Sequence, residues 1–457
     1  MSADRLDPAP PAPRGAVVVR GARLVDPGSG VDDRIDLILS AGRVAALSRN
    51  ASDVDADMVI DASGLVAAPG FIDLHTHLRE PGGESSETVA TGCDAAARGG
   101  FARIFCMPNT RPVIDSTVLV QQVLDRAREA CGVRVHPVAS VTRGMSGEQL
   151  TDFGALQRVG AGAFSDDGLP VSDAGVMRLA LECTRDIGAV VFDHCEDLSL
   201  TAEGVMHEGP VALRLGLRGI PRVSEAALVA RDCSLALATG GRLHICHVSN
   251  TDSIEAIRHF KRLGAPVTAE VSPHHLTLTH ERVGAYDTHA KMKPPLCEPS
   301  DRDALLDALE EGVIDCIATD HAPHAANLKA DTFDRAPFGI IGLETAFPVL
   351  HTALVRAGRW SLARLIAWLT DAPARVMGRG GDWGALAEGC PADIVLLDPD
   401  EEFTLGPEHL GSKSRNCPWL GERLVGRPVL TMAAGRIAWA DWTRFPEVPL
   451  DAGARTA

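Results

Sequence analysis

Eight short apolar runs, spaced along the middle of the chain, constrain the fold more than any other feature. The runs end at or near residues 77, 108, 139, 166, 195, 248, 272 and 320. Between most of them lies an amphipathic segment with helical spacing, such as TVLVQQVLDRAREACG. Strands that alternate with helices form parallel sheets, and strands buried on both faces are nearly continuous apolar runs. The alternation therefore predicts an α/β fold of the (β/α)8 TIM-barrel type.

The segments on either side of this region have a different pattern. Residues 16–67 and 376–445 hold short strand-like runs separated by glycine-containing turns, as in AVVVRGARLVDPGSG and ADIVLLDPD. Such patterns are typical of antiparallel sheets. We therefore expect one composite β-sandwich domain built from both ends of the chain, with the barrel over residues 68–375.

Composition and charge exclude several classes of protein. The 457 residues carry a net charge of −17 without a long basic run, so nucleic acid is not an expected partner. No apolar stretch is long enough for a membrane span. The first residues have prolines and acidic residues but lack the apolar core of a signal peptide, so we expect a disordered N-terminal tail at 1–15. Residues 446–457 form a C-terminal tail in this division. Eleven scattered cysteines without a C-x-x-C pair favour reduced thiols and a cytoplasmic protein.

Histidines and carboxylates stand where the predicted strands end. In FIDLHTH, His75 and His77 are separated by one residue, so both point to the same side of a strand. The later runs end in Asp166 and Asp167, in His194, in His247 and in Asp320. The C-terminal strand ends of a TIM barrel meet at one mouth, where catalytic groups lie. Imidazoles with carboxylates suit Zn²⁺ and permit Mn²⁺ or Co²⁺, so we predict a metal site there.

Several motifs together resemble the amidohydrolase superfamily and, within it, the longer bacterial type of dihydroorotase. The matching segments are FIDLHTHLREPG, MPNT, FSDDG, HCED, HVSNTDSIEAIR, SPHHLTLT, ATDHAPH and APFGIIGLET. The similarity extends over about residues 16–440. HTH and ATDH mark only the superfamily, whereas LREPG, MPNT and FSDDG together are far more selective.

The resemblance implies a metal centre of one or two Zn²⁺ ions per chain. The ligands so implied are His75, His77 and Asp320 for the more buried metal, and His194 and His247 for the second. Many relatives bridge the two metals with a carboxylated lysine at the end of strand 4, whereas similar dihydroorotases use an aspartate. The family spacing selects Asp167 over Asp166 for this bridge. The lysine content agrees, because no lysine precedes Lys261.

The resemblance also implies how substrate is held. The residues that correspond are Arg79, Asn109 and His324 for a substrate carboxylate, and the backbone of Pro337 and Gly339 for the ring. Arginine suits this task because its guanidinium binds a carboxylate with two parallel hydrogen bonds.

The segment KMKPPLC departs from the family pattern. Relatives commonly have N-P-P-L-R after the seventh strand, and that asparagine contacts the substrate ring. Here Lys293 takes the place of the asparagine and Cys297 that of the arginine. We expect Lys293 to approach the substrate, with the alternative that it turns to solvent.

The activity implied is the reversible interconversion of N-carbamoyl-L-aspartate and L-dihydroorotate in pyrimidine synthesis. Metal-activated water would attack the ring amide, and Asp320 would pass a proton to the leaving nitrogen. Three alternatives stay open: another cyclic amidohydrolase such as a hydantoinase or allantoinase, a non-catalytic structural partner of aspartate transcarbamoylase, and a barrel that only binds ligand. We expect a homodimer, with aspartate transcarbamoylase as a further partner.

Overall fold

The computed structural model describes residues 15–130 and 132–446. Except for residues 15 and 446, the predicted tails lie outside the described residues.

The strands are β1 (Ala16–Arg20), β2 (Arg23–Asp26), β3 (Val31–Arg34), β4 (Asp36–Ser40), β5 (Arg43–Ser48), β6 (Met58–Asp61), β7 (Val66–Pro69), β8 (Phe71–Thr76), β9 (Phe101–Cys106), β10 (Arg134–Ala139), β11 (Ala163–Phe164), β12 (Val190–Asp193), β13 (Met206–His207), β14 (Gly219–Ile220), β15 (Arg242–Ile245), β16 (Val267–Val271), β17 (Cys316–Ile317), β18 (Ile394–Thr404), β19 (Arg423–Ala433) and β20 (Arg436–Ala440). The α-helices are α1 (Val89–Arg98), α2 (Thr117–Ala130), α3 (Phe153–Val159), α4 (Ala174–Asp186), α5 (Leu198–Thr201), α6 (Pro210–Leu215), α7 (Val223–Thr239), α8 (Thr251–Arg262), α9 (Pro273–Thr277), α10 (Pro299–Glu311), α11 (Ala326–Lys329), α12 (Ala346–Leu350), α13 (Leu362–Leu369) and α14 (Asp371–Val376).

Eight parallel strands build the barrel that the sequence predicts. They are hydrogen-bonded in the chain order β8, β9, β10, β11, β12, β15, β16 and β17. A parallel bridge between Thr76 and His321 brings the first and last strands together. Large side chains such as Phe105, Phe164 and Phe192 are almost fully buried. The predicted (β/α)8 barrel is confirmed.

Two further sheets contain strands from both ends of the chain. One has the order β5-β4-β1-β6, and the other has the order β20-β19-β18-β7-β2-β3. In the second sheet, β7 pairs in parallel with β2 and antiparallel with β18. Leu37 and Leu39 of the first sheet share one apolar core with Leu24, Ile394 and Leu396 of the second. The composite β-sandwich is therefore also confirmed, whereas its boundaries at residues 67/68 and 375/376 stay a prediction.

Asp393, directly before β18, links the sandwich to the barrel. Its carboxylate accepts hydrogen bonds from Arg103 Nη2 at 2.9 Å and from Arg134 Nε at 3.3 Å. Both arginines are almost fully buried, and they lie in the first halves of β9 and β10. The junction therefore lies near the N-terminal ends of the barrel strands.

Polar residues after the strands start the next helices. Asn250 follows β15, and its side-chain oxygen accepts from Ser253 N at 3.1 Å at the start of α8. Asp173 caps α4 in the same way, by accepting from Gly175 N and Val176 N. Such caps satisfy backbone donors that lack a partner within the helix. They fix where each barrel strand ends and its loop turns.

The connection between β12 and β15 is longer than a simple barrel crossover. It contains α5, β13, α6, β14 and α7, and the two-residue strands β13 and β14 pair in parallel. After β16, a 3-10 turn at His280–Val283 precedes α10. These segments lie against each other beside the barrel mouth. Among the residues that the structure describes, no helix has the length and apolar character to cross a membrane.

Candidate active site

The two histidines of the H-x-H motif lie at the end of β8. His75 Nδ1 lies 2.8 Å from Glu270 Oε1, and His77 Nδ1 lies 2.9 Å from Asn109 Oδ1. Because both partners are acceptors, each Nδ1 carries the proton and each Nε2 keeps a free lone pair. Metal-binding histidines are commonly oriented by such a contact on the other ring nitrogen.

Asp167 lies among the four predicted histidine ligands. Its carboxylate oxygens lie 3.2 Å from His75 Nε2, 3.4 Å from His77 Nε2, 3.6 Å from His194 Nδ1 and 3.8 Å from His247 Nε2. Although burial opposes its charge, the surrounding imidazoles, His75 foremost, hold the pKa of Asp167 well below its usual range. The carboxylate therefore has the position of an anionic bridge between two subsites.

Asp166 has a different environment from its neighbour. Its carboxylate accepts hydrogen bonds from the backbone N and the hydroxyl of Thr142. The two aspartates are consecutive after β11, so their side chains leave the backbone in different directions. Asp166 thus tethers the loop after β10, while Asp167 enters the mouth.

The remaining predicted ligands complete the two subsites. Asp320 Oδ1 lies 3.2 Å from His77 Nε2 and 3.6 Å from His75 Nε2. On the other side of Asp167, His194 Nδ1 lies 2.9 Å from His247 Nε2. The structure thus brings all six predicted ligands together at the C-terminal ends of the strands.

The donor set fits divalent metal ions. The ligand atoms of His75, His77 and Asp320 lie within 4.8 Å of one another, as do those of His75, Asp167 and His247. His75 Nε2 and Asp167 Oδ1 are buried and have no hydrogen-bond partner. Buried polar atoms are normally satisfied, so these atoms call for a ligand. Imidazole nitrogens and carboxylate oxygens at this spacing match the ligands of zinc and of similar metals.

Three residues of the site have backbone conformations that L-amino acids seldom adopt. The φ angles are 36° for His247, 47° for Asp320 and 60° for Arg79. Non-glycine residues with positive φ are uncommon and cluster at functional sites. The conformation turns each side chain sharply at a strand end.

Arg79 and His324 lie side by side next to the metal ligands. Arg79 Nε donates to Pro323 O at 3.2 Å, and Arg79 Nη2 lies 3.5 Å from His324 Nε2. Burial lowers the pKa of Arg79 to about 10, so its guanidinium remains charged at neutral pH. Burial and the nearby Arg79 lower the pKa of His324 to about 3, so its imidazole is neutral. The pair supplies one cation and one neutral ring.

The predicted ring-binding segment lies against the same residues. His324 Nε2 donates to Phe338 O at 2.7 Å. Gly339 has a φ of 152°, and a Cβ there would lie 2.5 Å from Ala322 O and 2.7 Å from His324 Cδ2. Only glycine fits such a close approach. Pro337 O accepts from Lys329 Nζ at 2.9 Å.

Lys293 has a specific partner at the mouth. Its Nζ lies 2.7 Å from Glu196 Oε1 and 5.3 Å from the centre of the Phe338 ring. Glu196 Oε2 lies 3.2 Å from His194 Nε2. Lys293 is therefore linked through one carboxylate to a predicted metal ligand, while its side chain remains one-quarter exposed.

Sequence reasoning missed the carboxylates behind the ligands. Glu270 binds His75 Nδ1 with one oxygen and His244 Nε2, at 3.0 Å, with the other. Glu196 orients His194 in a similar way. A glutamate inside the apolar run PVTAEVS was the signal for Glu270, because a charged side chain in a buried strand requires a partner.

Strand alternation predicts that Cys246, which precedes the predicted ligand His247, faces away from the ligands, and this prediction is wrong. Its Sγ lies within 4.8 Å of a ring nitrogen of His75 and an oxygen of Glu270. β15 ends at Ile245, and His247 has a positive φ. Cys246 therefore faces the same side as His244, which also contacts Glu270, and it is His247 that departs from the strand alternation.

The barrel with its histidine and aspartate cluster defines the class of metal-dependent amidohydrolases. Among solved structures, the L-hydantoinase (dihydropyrimidinase) of Arthrobacter aurescens is similar, with a TM-score of 0.83 and 26% identity over 92% of this chain and 95% of that one. The family model "Dihydro-orotase-like" matches residues 64–253. Curated dihydroorotases are 44% identical in Solibacter usitatus, over 93% of this chain and 98% of the relative, and 48% identical in Anaeromyxobacter dehalogenans, over 92% and 96%. The chain belongs to the dihydroorotase family.

Proposed function

We propose that this chain is a dihydroorotase, which interconverts N-carbamoyl-L-aspartate and L-dihydroorotate in de novo pyrimidine biosynthesis. The observation that carries the proposal is the position of Asp167 among four histidines, beside the partly buried cation of Arg79. The first feature suits a metal pair without a modified lysine. The second suits a substrate that bears a carboxylate.

We propose zinc as the metal, with one or two ions per chain. His75, His77 and Asp320 would hold the first ion, His194 and His247 the second, and Asp167 would contact both. Bound there, zinc supplies Lewis acidity that lowers the pKa of water and polarises a carbonyl oxygen. Glu270, Asn109 and Glu196 support this proposal because each contacts a ring nitrogen of one of these histidines.

Asp320 would act as the general base and acid. In ring opening, its carboxylate would accept a proton from the attacking water while a carbon–oxygen bond forms at the ring carbonyl. It would then donate that proton to the ring nitrogen as the carbon–nitrogen bond breaks. In ring closure the carbamoyl nitrogen would attack the side-chain carboxyl carbon and give up a proton to Asp320. Asp320 would pass that proton to the carboxyl oxygen, which would leave as water as the carbon–oxygen bond breaks. The distance of 3.2 Å between Asp320 Oδ1 and His77 Nε2 supports this role, because it keeps the carboxylate beside a predicted metal ligand.

The substrate carboxylate would be held by Arg79, Asn109 and His324. Arg79 supplies the charge, and the neutral His324 shares its position without adding a second cation. Backbone groups near Pro337 and Gly339 would contact the ring, and Lys293 would extend the positive field toward the mouth. These proposed roles rest on the distances that separate the side chains of the site from one another.

A cyclic-amide assay after chelation and zinc addition tests the function. We expect no ring opening of dihydroorotate in the chelated protein and recovery with zinc. Dihydrouracil and hydantoin lack the carboxylate, so their kcat/KM should be lower by on the order of 100-fold or more. Faster turnover of either would favour the hydantoinase alternative. Zinc binding without any turnover would favour the non-catalytic alternative.

Replacement of Arg79 tests how the substrate is recognised. Arg79→Met should raise the KM for dihydroorotate by about 10-fold or more, because a charge-assisted pair contributes roughly 1.5–3 kcal/mol. The matched control is Arg111→Met, an exposed arginine in the following loop, which should keep the wild-type KM. An unchanged KM in Arg79→Met would remove this residue from the substrate site.

We further propose that the protein acts in the cytoplasm as a homodimer and can associate with aspartate transcarbamoylase. Among the described residues, Cys106, Cys233 and Cys316 are free thiols, which supports a reducing compartment. Light scattering of the purified chain, alone and with that enzyme, would give the mass of each assembly. A monomeric mass in both samples would contradict the proposed partners.

A further inference from the structure

A second group of metal-binding side chains lies outside the barrel mouth. His207 is in β13, His280 begins the 3-10 turn at His280–Val283, and Glu298 directly precedes α10. Each offers one ligand atom, and the three atoms lie within 4.8 Å of one another. Residues far apart in the sequence thus bring two imidazoles and a carboxylate to one point.

The two imidazoles are buried without their full complement of hydrogen bonds. His207 is 2% exposed and His280 is 5% exposed, and Nδ1 of each has no hydrogen-bond partner. The two ring centres are 5.6 Å apart. Most buried side-chain nitrogens in folded proteins have a partner, so an unpartnered nitrogen on each of two neighbouring rings indicates a missing ligand.

The protonation state of the pair suits a metal. Burial and the adjacent His280 lower the pKa of His207, so its imidazole is neutral at physiological pH. Neutral imidazole is the form that coordinates metal ions. Protonation of both rings would place two positive charges side by side.

The surrounding charges leave one carboxylate oxygen for a cation. Arg222 Nη2 lies 3.5 Å from Glu298 Oε2, and Arg222 Nη1 lies 3.2 Å from the buried Asp301 Oδ1. Two carboxylates therefore face one guanidinium. A Cβ placed on Gly209 would lie 3.6 Å from Glu298 Oε1 and 3.8 Å from His207 Nε2. Glu298 Oε1 and the imidazole of His207 thus border the same small space, which is open because Gly209 has no side chain.

We propose that His207, His280 and Glu298 bind a divalent metal ion of the zinc class, in addition to the metals of the barrel. Two histidines and one glutamate are a common zinc ligand set, with water in the fourth position. The ion would join the β13 segment, the 3-10 turn after α9 and the start of α10. His207 also lines a small cavity together with His194, Glu196 and Lys293. The ion would therefore stabilise one wall of the cavity beside the barrel mouth.

Zinc stoichiometry is the first test. The full-length protein is dialysed against zinc, and bound metal is counted by elemental analysis. His280→Asn should hold one zinc per chain fewer than wild type and should retain dihydroorotate turnover. His259→Asn, which removes an exposed histidine of α8, should hold the wild-type number. Equal zinc in His280→Asn and wild type would overturn the site.

A second measurement keeps the test decisive if the His280 variant folds poorly. Crystals of zinc-loaded wild type, measured on both sides of the zinc absorption edge, should show an anomalous peak among the three side chains. Glu298→Gln changes a partly exposed residue. In competition with a chromophoric chelator, its affinity for the zinc ion at the proposed site should be lower than that of wild type by about 10-fold or more. The absence of the peak, or unchanged affinity in Glu298→Gln, would refute the proposal. Neither measurement depends on whether the barrel is active.

Discussion

At the scale of single residues, the two consecutive aspartates after β11 have separate tasks. We expect Asp167→Ala to hold at most one zinc and to lose most activity, because its carboxylate faces the histidines of both subsites. Asp166→Ala should keep its metal, since Asp166 binds Thr142 instead. Elemental analysis and kcat of both variants would check this. Greater metal loss in Asp166→Ala would reverse the assignment.

The departure at Lys293 gives a second prediction. Lys293→Asn should raise the KM for dihydroorotate about 2- to 5-fold at low salt, because the variant lacks a cation at the mouth. The difference in KM between Lys293→Asn and wild type should be smaller in 0.5 M salt, since salt screens a partly exposed charge. Steady-state kinetics at two ionic strengths would measure both effects. Identical KM values in both proteins at both salt concentrations would make Lys293 a bystander.

The sequence predicts the ligands of this site better than the groups that orient them. The predicted ligands follow recognisable strand ends, so the strand pattern places them at one mouth, although only the family resemblance selects Asp167 over Asp166. Glu270 contacts His75 across the barrel, from a position 195 residues further along the chain, whereas Glu196 lies only two residues from His194. Glu196 also needs Lys293, which arrives from another loop. Such partners depend on three-dimensional register, which no local pattern contains.

At the scale of elements, two buried lysines hold the segment that carries the ring-binding residues. Lys329 Nζ donates to Thr288 O at 2.8 Å and to Pro337 O at 2.9 Å. Lys291 Nζ donates to Phe333 O at 2.6 Å. Both lysines are almost fully buried. Ammonium groups that donate to backbone carbonyls therefore replace regular secondary structure in this loop.

The pH dependence of stability tests this arrangement. Burial and the nearby Lys291 lower the pKa of Lys329 to about 7, from 10.5 in the unfolded chain. Between these values the unfolded chain binds more protons, so the contribution of Lys329 to the free energy of unfolding rises with pH. From pH 7 to pH 9.5, the free energy of unfolding of wild type should therefore increase by about 1 kcal/mol or more relative to that of Lys329→Met, since one pKa unit corresponds to about 1.4 kcal/mol.

Urea unfolding of both proteins at the two pH values would measure this change. The matched control is Lys413→Met, which replaces an exposed lysine. Its free energy of unfolding should differ from that of wild type by the same amount at both pH values. A difference between wild type and Lys329→Met that does not change with pH would show that Lys329 keeps its ordinary pKa.

Regular elements were predictable where their patterns are long. The six-residue strands β8, β9 and β10 are buried along their whole length and contain many apolar residues. β13 and β14 have two residues each, too few for any periodicity, and their pairing depends on the fold of the whole connection. His207 therefore gave no signal as a ligand in the sequence.

At the scale of the whole molecule, the composite sandwich follows from the sequence, but its attachment to the barrel does not. Matching patterns at the two ends of the chain predict shared sheets. Asp393 lies in a turn-like stretch, and its partners Arg103 and Arg134 are in predicted apolar strands. Arg103 also lies against Trp383, with its guanidinium carbon 4.1 Å from the ring centre. Buried charge pairs between distant segments become visible only in the folded structure.

This junction carries the last prediction. Asp393→Asn should lower the free energy of unfolding by about 3 kcal/mol or more, because it removes the charge that compensates two buried guanidinium groups. Asp400→Asn replaces an exposed carboxylate paired with Arg356 and should change stability by less than about 1 kcal/mol. Urea unfolding would compare the two variants. Because the junction lies near the N-terminal strand ends, kcat/KM of Asp393→Asn in native buffer should equal that of wild type. Equal stability of the two variants would show that Asp393 does not hold the sandwich to the barrel.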